Sequence, residues 1–341
     1  MNTIDILKIL TSSTGVTGDE YNDAGLNAEK ILSRYGRVKR TKSGSLSLNI
    51  PGSGKKILLD AHLDRIGLIV TGIDKTGFLR VDKCGGIDRR VMAAARVTVL
   101  GKEKLKGVII STPPHLAKSE DADKALTFES AAVDAGLSCD EISKIVKAGD
   151  RIVFDSDFTL LSSGLVTAPA LDDRAGMTAL IKAVDIIKDN GGTNTDITVL
   201  FSSQEEITGA GAKTGAYEFT PDEAIAVDVS FAKAPGVKDT ESGELKKGAM
   251  ICISPSLDND FSNSLIETAQ KNSIKYQIEV CPSSTGTNAD DITLSRSGVK
   301  TAVVSIPQRN MHTQAEIVAV EDIDSCAELI AKYIIENGGK K

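Results

Sequence analysis

Short apolar runs alternate with amphipathic helical patterns in two blocks of this chain, and a long stretch of different texture separates the blocks. In the first block, a short amphipathic helix in 1-MNTIDILKILTSSTG-15 and a second helical pattern, 21-YNDAGLNAEKILSRYG-36, lead into strand-like 45-SLSLNIPG-52 and 57-ILLDAHLD-64. The last block repeats that rhythm. Its helical patterns are 173–192, a stretch after 209–217, 259–272 and 321–339; its strand patterns are 197–201, 224–230, 250–255, 276–280 and 301–307. Such alternation predicts an α/β fold, a mixed sheet sandwiched by helices. Between the blocks, 66-IGLIVTGIDKTGFLRV-81, 96-RVTVLG-101, 107-GVIIST-112 and 151-RIVFDSDF-158 are β-type runs separated by Gly, Asp and Lys turns. A crossover between parallel strands needs only about a dozen residues or more, so the intervening stretch reads as an inserted small β-barrel-like domain. The boundaries expected are 1–65 and 163–341 for the two parts of the principal domain and 66–162 for the insert, with 112-TPPHLAKSEDADKA-125 its candidate mobile loop.

Composition removes several classes of function. No segment approaches the roughly 20 apolar residues of a membrane span, and the first residues lack a basic leader and a signal-peptide apolar block, so a cytoplasmic protein with no membrane partner is expected. Net charge is −7 with Lys and Arg scattered along the chain, which argues against nucleic acid as a partner. Five cysteines stand far apart with no Cys-x-x-Cys, a pattern of buried free thiols and of neither a disulfide framework nor a thiolate zinc site.

Polar residues with chemistry gather at the ends of the apolar strands. In 202-SSQEEITGAG-211, Glu205 and Glu206 follow the buried-strand pattern 197-ITVLF-201. Adjacent strand residues point to opposite faces, but where a strand breaks into a loop both carboxylates can converge on one site. One would bind a metal; the other, left unliganded, would move a proton, because a cation stabilises a carboxylate's charged form and makes it a poor base. In 57-ILLDAHLDRIG-67, His62 and Asp64 are two apart and share a face, a ligand followed by the acid that orients it. Asp172 and Asp173 in 168-APALDDRAG-176 precede a helix, where an N-cap is the plainer reading. Asp228 interrupts the apolar run 224-AIAVDVS-230, where an unpartnered carboxylate would be costly. His312 follows a strand in 305-SIPQRNMHT-313. Two imidazoles and several acids at the carboxyl ends of five strands make a mixed nitrogen and oxygen donor set suited to two zinc-like ions.

The ordered motifs His-x-Asp, Asp-Asp-Arg-Ala-Gly, Gln-Glu-Glu, Val-Asp-Val and Pro-x-Arg-x-Met-His resemble those of the cocatalytic-metal aminopeptidases of the tetrahedral, TET type, whose members include glutamyl, leucyl and lysyl aminopeptidases. The likeness covers nearly the whole chain. It implies a zinc-exopeptidase-like catalytic domain hydrolysing N-terminal residues from short peptides, with His62, Asp172, Glu206, Asp228 and His312 holding two divalent ions, zinc or cobalt, with manganese also accepted. Asp172 would bridge the ions, Glu205 would be general base and acid, and Asp64 would orient His62. The resemblance further implies a cis peptide at Asp172-Asp173 and a homo-oligomer in which the insert makes dimers that can close into a tetrahedral dodecamer. Arg65, Phe231, Asn288 and Asn310 depart from the usual pattern. Arg65 is open to two readings, an acidic preference at the substrate N-terminus or a surface ion pair. A related deacylase or carboxypeptidase is the alternative activity. An endoglucanase, a label some relatives carry, is a remoter one, because sugar sites want flat aromatic platforms and this chain has no Trp and only 4% aromatic residues. A non-catalytic assembly protein that keeps metals for stability is the third.

Overall fold

The computed structural model describes residues 1–113, 115–116 and 124–338; most of the 112–125 loop lies outside them. Among the described residues, three strands precede the insert: β1 (Val38–Arg40), β2 (Leu46–Ile50) and β3 (Lys56–His62). Six make it: β4 (Gly67–Ile73), β5 (Leu79–Cys84), β6 (Arg96–Leu100), β7 (Lys104–Ile110), β8 (Ala132–Asp134) and β9 (Arg151–Phe154). Eight follow: β10 (Thr159–Leu160), β11 (Leu165–Ala168), β12 (Asp196–Ser202), β13 (Glu223–Phe231), β14 (Ala249–Ile253), β15 (Tyr276–Val280), β16 (Lys300–Arg309) and β17 (Glu316–Ala319). The first three and last eight form one 11-stranded sheet with the order β1-β2-β12-β3-β13-β16-β17-β11-β10, to which β14 and β15 attach through β16. The mixed, helix-covered sheet expected from the alternating pattern is therefore present, and the insert closes into a barrel, β4-β5-β8-β7-β6-β9.

Strand direction decides where chemistry collects. β12, β3, β13 and β16 are mutually parallel. β17 runs against β16, and β11 runs against β17, so β11 points the same way as those four. The carboxyl ends of all five strands therefore lie along one edge of the sheet, the edge at which such sheets form their clefts.

Period-2 alternation splits the apolar residues between two helical layers. Ile57, Leu59 and Ala61 of β3 and Ile225, Val227 and Val229 of β13 face one core; Leu58 of β3 and Ala224 and Ala226 of β13 face another. The first core takes the buried sides of α1 (Thr3–Thr11), α2 (Leu26–Leu32), α4 (Leu171–Asp189) and α8 (Val320–Gly338). The second takes α5 (Ala210–Phe219) and α7 (Ala289–Thr293). Between the two in chain order, α6 (Asn259–Lys271) packs against β14 and α8, and the short α3 (Cys139–Ile142) lies in the insert. Helix α4 is buried over most of its length because it packs on β3 and β13 while α1 and α8 cover its outer side. The barrel has its own core of Leu68, Val70, Leu79, Val97, Val99, Ile109 and Ile152.

Strands β1, β8, β10, β11 and β17 have no strand pattern of their own in the sequence, since each contributes only two to four residues and none lies in a longer β-type run as β9 does; β11 enters only as the strand end before Asp172. The helical pattern 21–36 opens as a π-turn at Tyr21–Gly25 before α2 begins. No helix of the described residues is long and apolar enough to cross a membrane.

Candidate metal centre

Each strand end delivers its side chain by a different local device. β3 ends at His62, whose Nδ1 lies 3.1 Å from the backbone carbonyl of Asp64. A carbonyl only accepts, so Nδ1 carries the proton and Nε2 faces the centre. The Asp64 carboxylate, expected to hold the imidazole, is 3.7 Å from Nδ1, too far for a hydrogen bond. It accepts instead from the backbone N–H groups of Glu205 (3.0 Å) and Glu206 (3.2 Å). Gln204 takes a positive φ of 60° as the chain leaves β12, which breaks the alternation. The two glutamates are then tied to one buried carboxylate, and this is how adjacent residues serve the same cleft.

Asp172 opens the turn after β11, and the Asp172-Asp173 peptide is cis. The second acid of the pair is structural: Asp173 accepts from the N–H of Gly176 (2.9 Å) and of His62 (3.2 Å), pinning the start of α4 to the end of β3. His312 sits in the turn after β16 with φ of 61°. Its N–H and that of Asp172 donate to the two oxygens of one buried side chain, Glu316 (3.0 and 3.1 Å). Asp228 lies within β13, three residues before its end, and therefore enters the cleft from the sheet face.

These devices bring together two triads with one member in common. His62, Asp172 and Asp228 each offer a donor atom within 4.8 Å of the others, and so do Asp172, Glu206 and His312. His62 Nε2 is 2.8 Å from Asp172 Oδ1 and 3.9 Å from Asp228 Oδ1. His312 Nε2 is 3.2 Å from Asp172 Oδ2 and 3.5 Å from Glu206 Oε2. Asp172 thus presents one oxygen to each imidazole. Glu205 belongs to neither triad and lines the adjoining cleft of about 480 Å³ together with Asp172, Asp228, Phe231 and His312.

Electrostatics show what the arrangement lacks. Burial raises the carboxyls of Asp228 and Glu206 well above their usual range, and neighbouring carboxylates add to the effect against the opposing imidazoles. Burial likewise lifts Glu205 to about 7, with His62 opposing and Asp172 adding. Burial disfavours charge on His312, yet its hydrogen bond to Asp172 and the charge of Glu206 carry it to about 9. His62 is raised too, its burial outweighed by Asp172 and Glu205. Asp172 alone is driven down, its burial overcome by the two imidazoles it joins. Acids that hold protons and imidazoles that hold charge are the signature of a site short of cations. Among the described residues, Oε1 of Glu206 is buried with no hydrogen-bond partner, an orphaned acceptor that a cation satisfies. Two imidazoles and three carboxylates in N/O triads fit divalent ions of the zinc and cobalt type.

Several residues of the site escaped sequence reading. Glu316 heads the four-residue strand β17, and its signal is an acid opening the apolar run 316-EIVAV-320. Asp60, fully buried in β3, accepts from the side-chain amide of Asn288 at 2.8 Å, and that same amide donates to Ser202. An aspartate at position 288 would set a second carboxylate against Asp60, which explains an amide there. The insert also reaches the site: a Cβ on Gly86 would stand 2.8 Å from Nδ1 of His312, and one on Gly85 3.1 Å from Glu206 Oε2. Only glycines let the barrel loop lie this close.

Of the four departures, Arg65 is 3% exposed; it lines a different cavity, with Thr11, Arg96 and Lys106. The surface ion pair is therefore excluded by burial, which pulls the guanidinium below its usual range against the supporting charges of Glu316 and Glu206. Asn310 occupies a positive-φ turn position (57°), which Asn tolerates well, and its amide donates to the Ala315 carbonyl. Phe231 is 52% exposed beside the cleft. His115, the third histidine, is exposed on the insert and takes no part.

The sequence model of the M42 glutamyl aminopeptidase family matches residues 44–329. A lysyl aminopeptidase of Pyrococcus furiosus is 34% identical over 97% of this chain and 96% of its own. Among solved structures, a TET aminopeptidase from a marine sediment Thaumarchaeota archaeon superposes with a TM-score of 0.92 at 28% identity, covering 97% of this chain and 95% of that one. The TET1 peptidase of Pyrococcus horikoshii, described as assembling into a tetrahedron or a large octahedral shell, superposes at 0.87 with 30% identity over 98% of this chain and all of its own.

Proposed function

The chain belongs to the M42 glutamyl aminopeptidase family, and from that premise we propose that it is a metal-dependent aminopeptidase that trims short peptides from their free amino end at a dinuclear centre. The observation that carries this reading is the pair of triads sharing Asp172, with a fourth carboxylate, Glu205, beside them and outside both. In this reading His62 and Asp228 would hold one ion, Glu206 and His312 would hold the other, and Asp172 would be a ligand common to both. Zinc or cobalt suits such ligands best, and manganese is admitted. Two bound ions would supply Lewis-acid polarisation of the scissile carbonyl, acidification of water and an anchor for the substrate amine.

The protein's own groups do the rest. Burial raises Glu205 to about 7 in the metal-free protein, and because Glu205 stands outside both triads it stays free to accept and return a proton. It takes the proton from water as that water attacks the first peptide carbonyl and delivers it to the leaving nitrogen. Asp64 fixes the backbone from which Glu205 and Glu206 project, and Glu316 fixes that of Asp172 and His312. Residues 1–65 and 163–341 form the catalytic domain in this reading, together with β10 (Thr159–Leu160), which pairs with β11 in the main sheet although it lies before residue 163. The 66–162 insert supplies the loop against His312 and the surface for dimerisation, with closure into a homo-oligomeric shell supported by the tetrahedral assembly of the Pyrococcus horikoshii relative. Five free thiols, Cys84, Cys139, Cys252, Cys281 and Cys326, suit a reducing, cytoplasmic setting.

An aminoacyl p-nitroanilide panel tests this, run with zinc, cobalt and manganese restored in turn to the metal-stripped enzyme and repeated with N-acetylated substrates. Hydrolysis confined to free-amine substrates and lost on stripping is expected. Glu205→Gln should lower kcat by about 10²- to 10⁴-fold with both ions retained. Equal cleavage of acetylated substrates would move the enzyme to the deacylase or carboxypeptidase class; full activity in the Gln variant would end the general-base assignment.

A further inference from the structure

A second group of donor atoms stands on the wall of the same cleft, away from the paired triads. Cys252, Glu279 and Cys281 each bring one ligand atom within 4.8 Å of the others. Their spacing in sequence conceals this, since the first and second stand 27 positions apart. Parallel pairing of β14 with β15 sets Cys252 directly across from Glu279. The N–H of Cys281 donates to the Ile253 carbonyl at 3.0 Å, extending that ladder by one residue. Glu279 and Cys281, two apart, therefore share a face. Both line the cleft, while Cys252 is buried behind them.

The carboxylate is already aimed. Glu279 accepts from the hydroxyls of Ser230 and Ser305, the latter at 2.8 Å, one to each oxygen, so each oxygen keeps a lone pair. Hydroxyls that hold a carboxylate in this way do for it what outer partners do for a metal ligand. We propose that Cys252, Glu279 and Cys281 form a separate, sulfur-rich site for one thiophilic divalent cation of the zinc or cadmium class, with its fourth position open to the cleft. Tetrahedral zinc with Zn–S of about 2.3 Å places its ligands about 3.5–3.8 Å apart, so the three side chains close on an ion by moving at most about 1 Å.

A disulfide is the competing use of the two sulfurs, and the surroundings oppose it. Burial raises the thiol of Cys252, and contact with Cys281 and the charge of Glu279 raise it further; burial and Glu279 raise Cys281 as well. Protonated thiols attack poorly and oxidise slowly. A cation reverses that balance, because it stabilises the thiolates and relieves the repulsion from Glu279.

The test uses the full-length chain, reduced, loaded with excess cobalt(II) and desalted. A thiolate-to-cobalt charge-transfer band in the near ultraviolet reports sulfur ligation, which a site of imidazoles and carboxylates does not give. The band should appear in the natural protein and in Cys139→Ser, whose cysteine lies in the insert. It should vanish in Cys281→Ser together with about one equivalent of cobalt per chain, and Glu279→Gln should weaken cobalt retention at this site by about tenfold or more. Cys281 is only half-buried, so its variant keeps the fold; Cys252→Ser, in the core, serves as a second check with circular dichroism alongside. No band in the natural protein, a band that survives in Cys281→Ser, or equal loss in Cys139→Ser each overturns the proposal. These outcomes are independent of peptidase activity.

Discussion

Replacing Asp64 by Asn separates two ways in which that residue could serve the centre. If its carboxylate oriented His62 through Nδ1, removing the charge would loosen the imidazole and cost about 10- to 100-fold in ion affinity. In the structure the Nδ1 proton goes to the backbone carbonyl of Asp64, which Asn retains, and the carboxylate receives two N–H groups from Glu205 and Glu206. Asn offers one side-chain oxygen where Asp offers two, so one of those N–H groups loses a charge-assisted bond worth about 1.5–3 kcal/mol. Its amide also presents a donor where an acceptor stood. A loss of that size, expressed as misplacement of the base, corresponds to about a 10- to 100-fold fall in kcat. Ion affinity, measured by competition with a chelator, should change by less than about tenfold. The assay pairs steady-state turnover of an aminoacyl p-nitroanilide with elemental analysis of the same preparation. Weak ion retention combined with natural kcat in the ion-saturated variant would refute the backbone-clamp reasoning and restore Asp64 as the partner of the imidazole.

Gly86→Ala sets a Cβ 2.8 Å from Nδ1 of His312, so the ring must shift; loss of about one ion per chain at limiting metal is expected, and two tightly held ions with natural turnover would show that the insert does not shape the centre. For the metal-free protein, melting temperature should fall as pH rises from about 5 to about 9. His312, raised to about 9, contributes stability that is complete below its unfolded value of about 6.5 and is lost through 9. Asp60 and Glu316, raised by burial to about 7 and about 8, hold protons that the unfolded chain releases near pH 4, so they too weaken the fold as pH climbs. Ion loading should flatten the profile, and a metal-free protein that gains stability over this range would contradict the assignment of a cation-deficient centre.

How much of this was legible beforehand follows from the reach of each signal. His62, Glu205, Glu206, Asp228 and His312 stand out because polar residues interrupt or terminate apolar runs, a contrast that a few neighbouring positions suffice to display. Asp173 shows the limit of that signal: it has the same local setting as Asp172, yet the structure turns it away from the centre to tie α4 to β3. Glu316 is hidden because the short strand β17 carries too little pattern, although it supplies the acid that fixes two ligands; β11 is legible only as the strand end before Asp172, without a pattern of its own. Cys252 and Cys281 stand as isolated thiols in the sequence because nothing local couples residues on neighbouring strands.

The order of residues by itself determined the alternation of strand and helix, the existence of an inserted β unit and the chemical kind of the side chains at each strand end, since these depend on periods of two and 3.6 residues and on polarity within a short window. Only the tertiary structure decided that β11 runs with β3, β12, β13 and β16, that Asp172 turns one oxygen to each imidazole, and that Asp64 serves two glutamates instead of its neighbouring histidine. Those outcomes rest on strand order, register and the path of turns, where residues more than a hundred positions apart meet, and no local pattern carries that information.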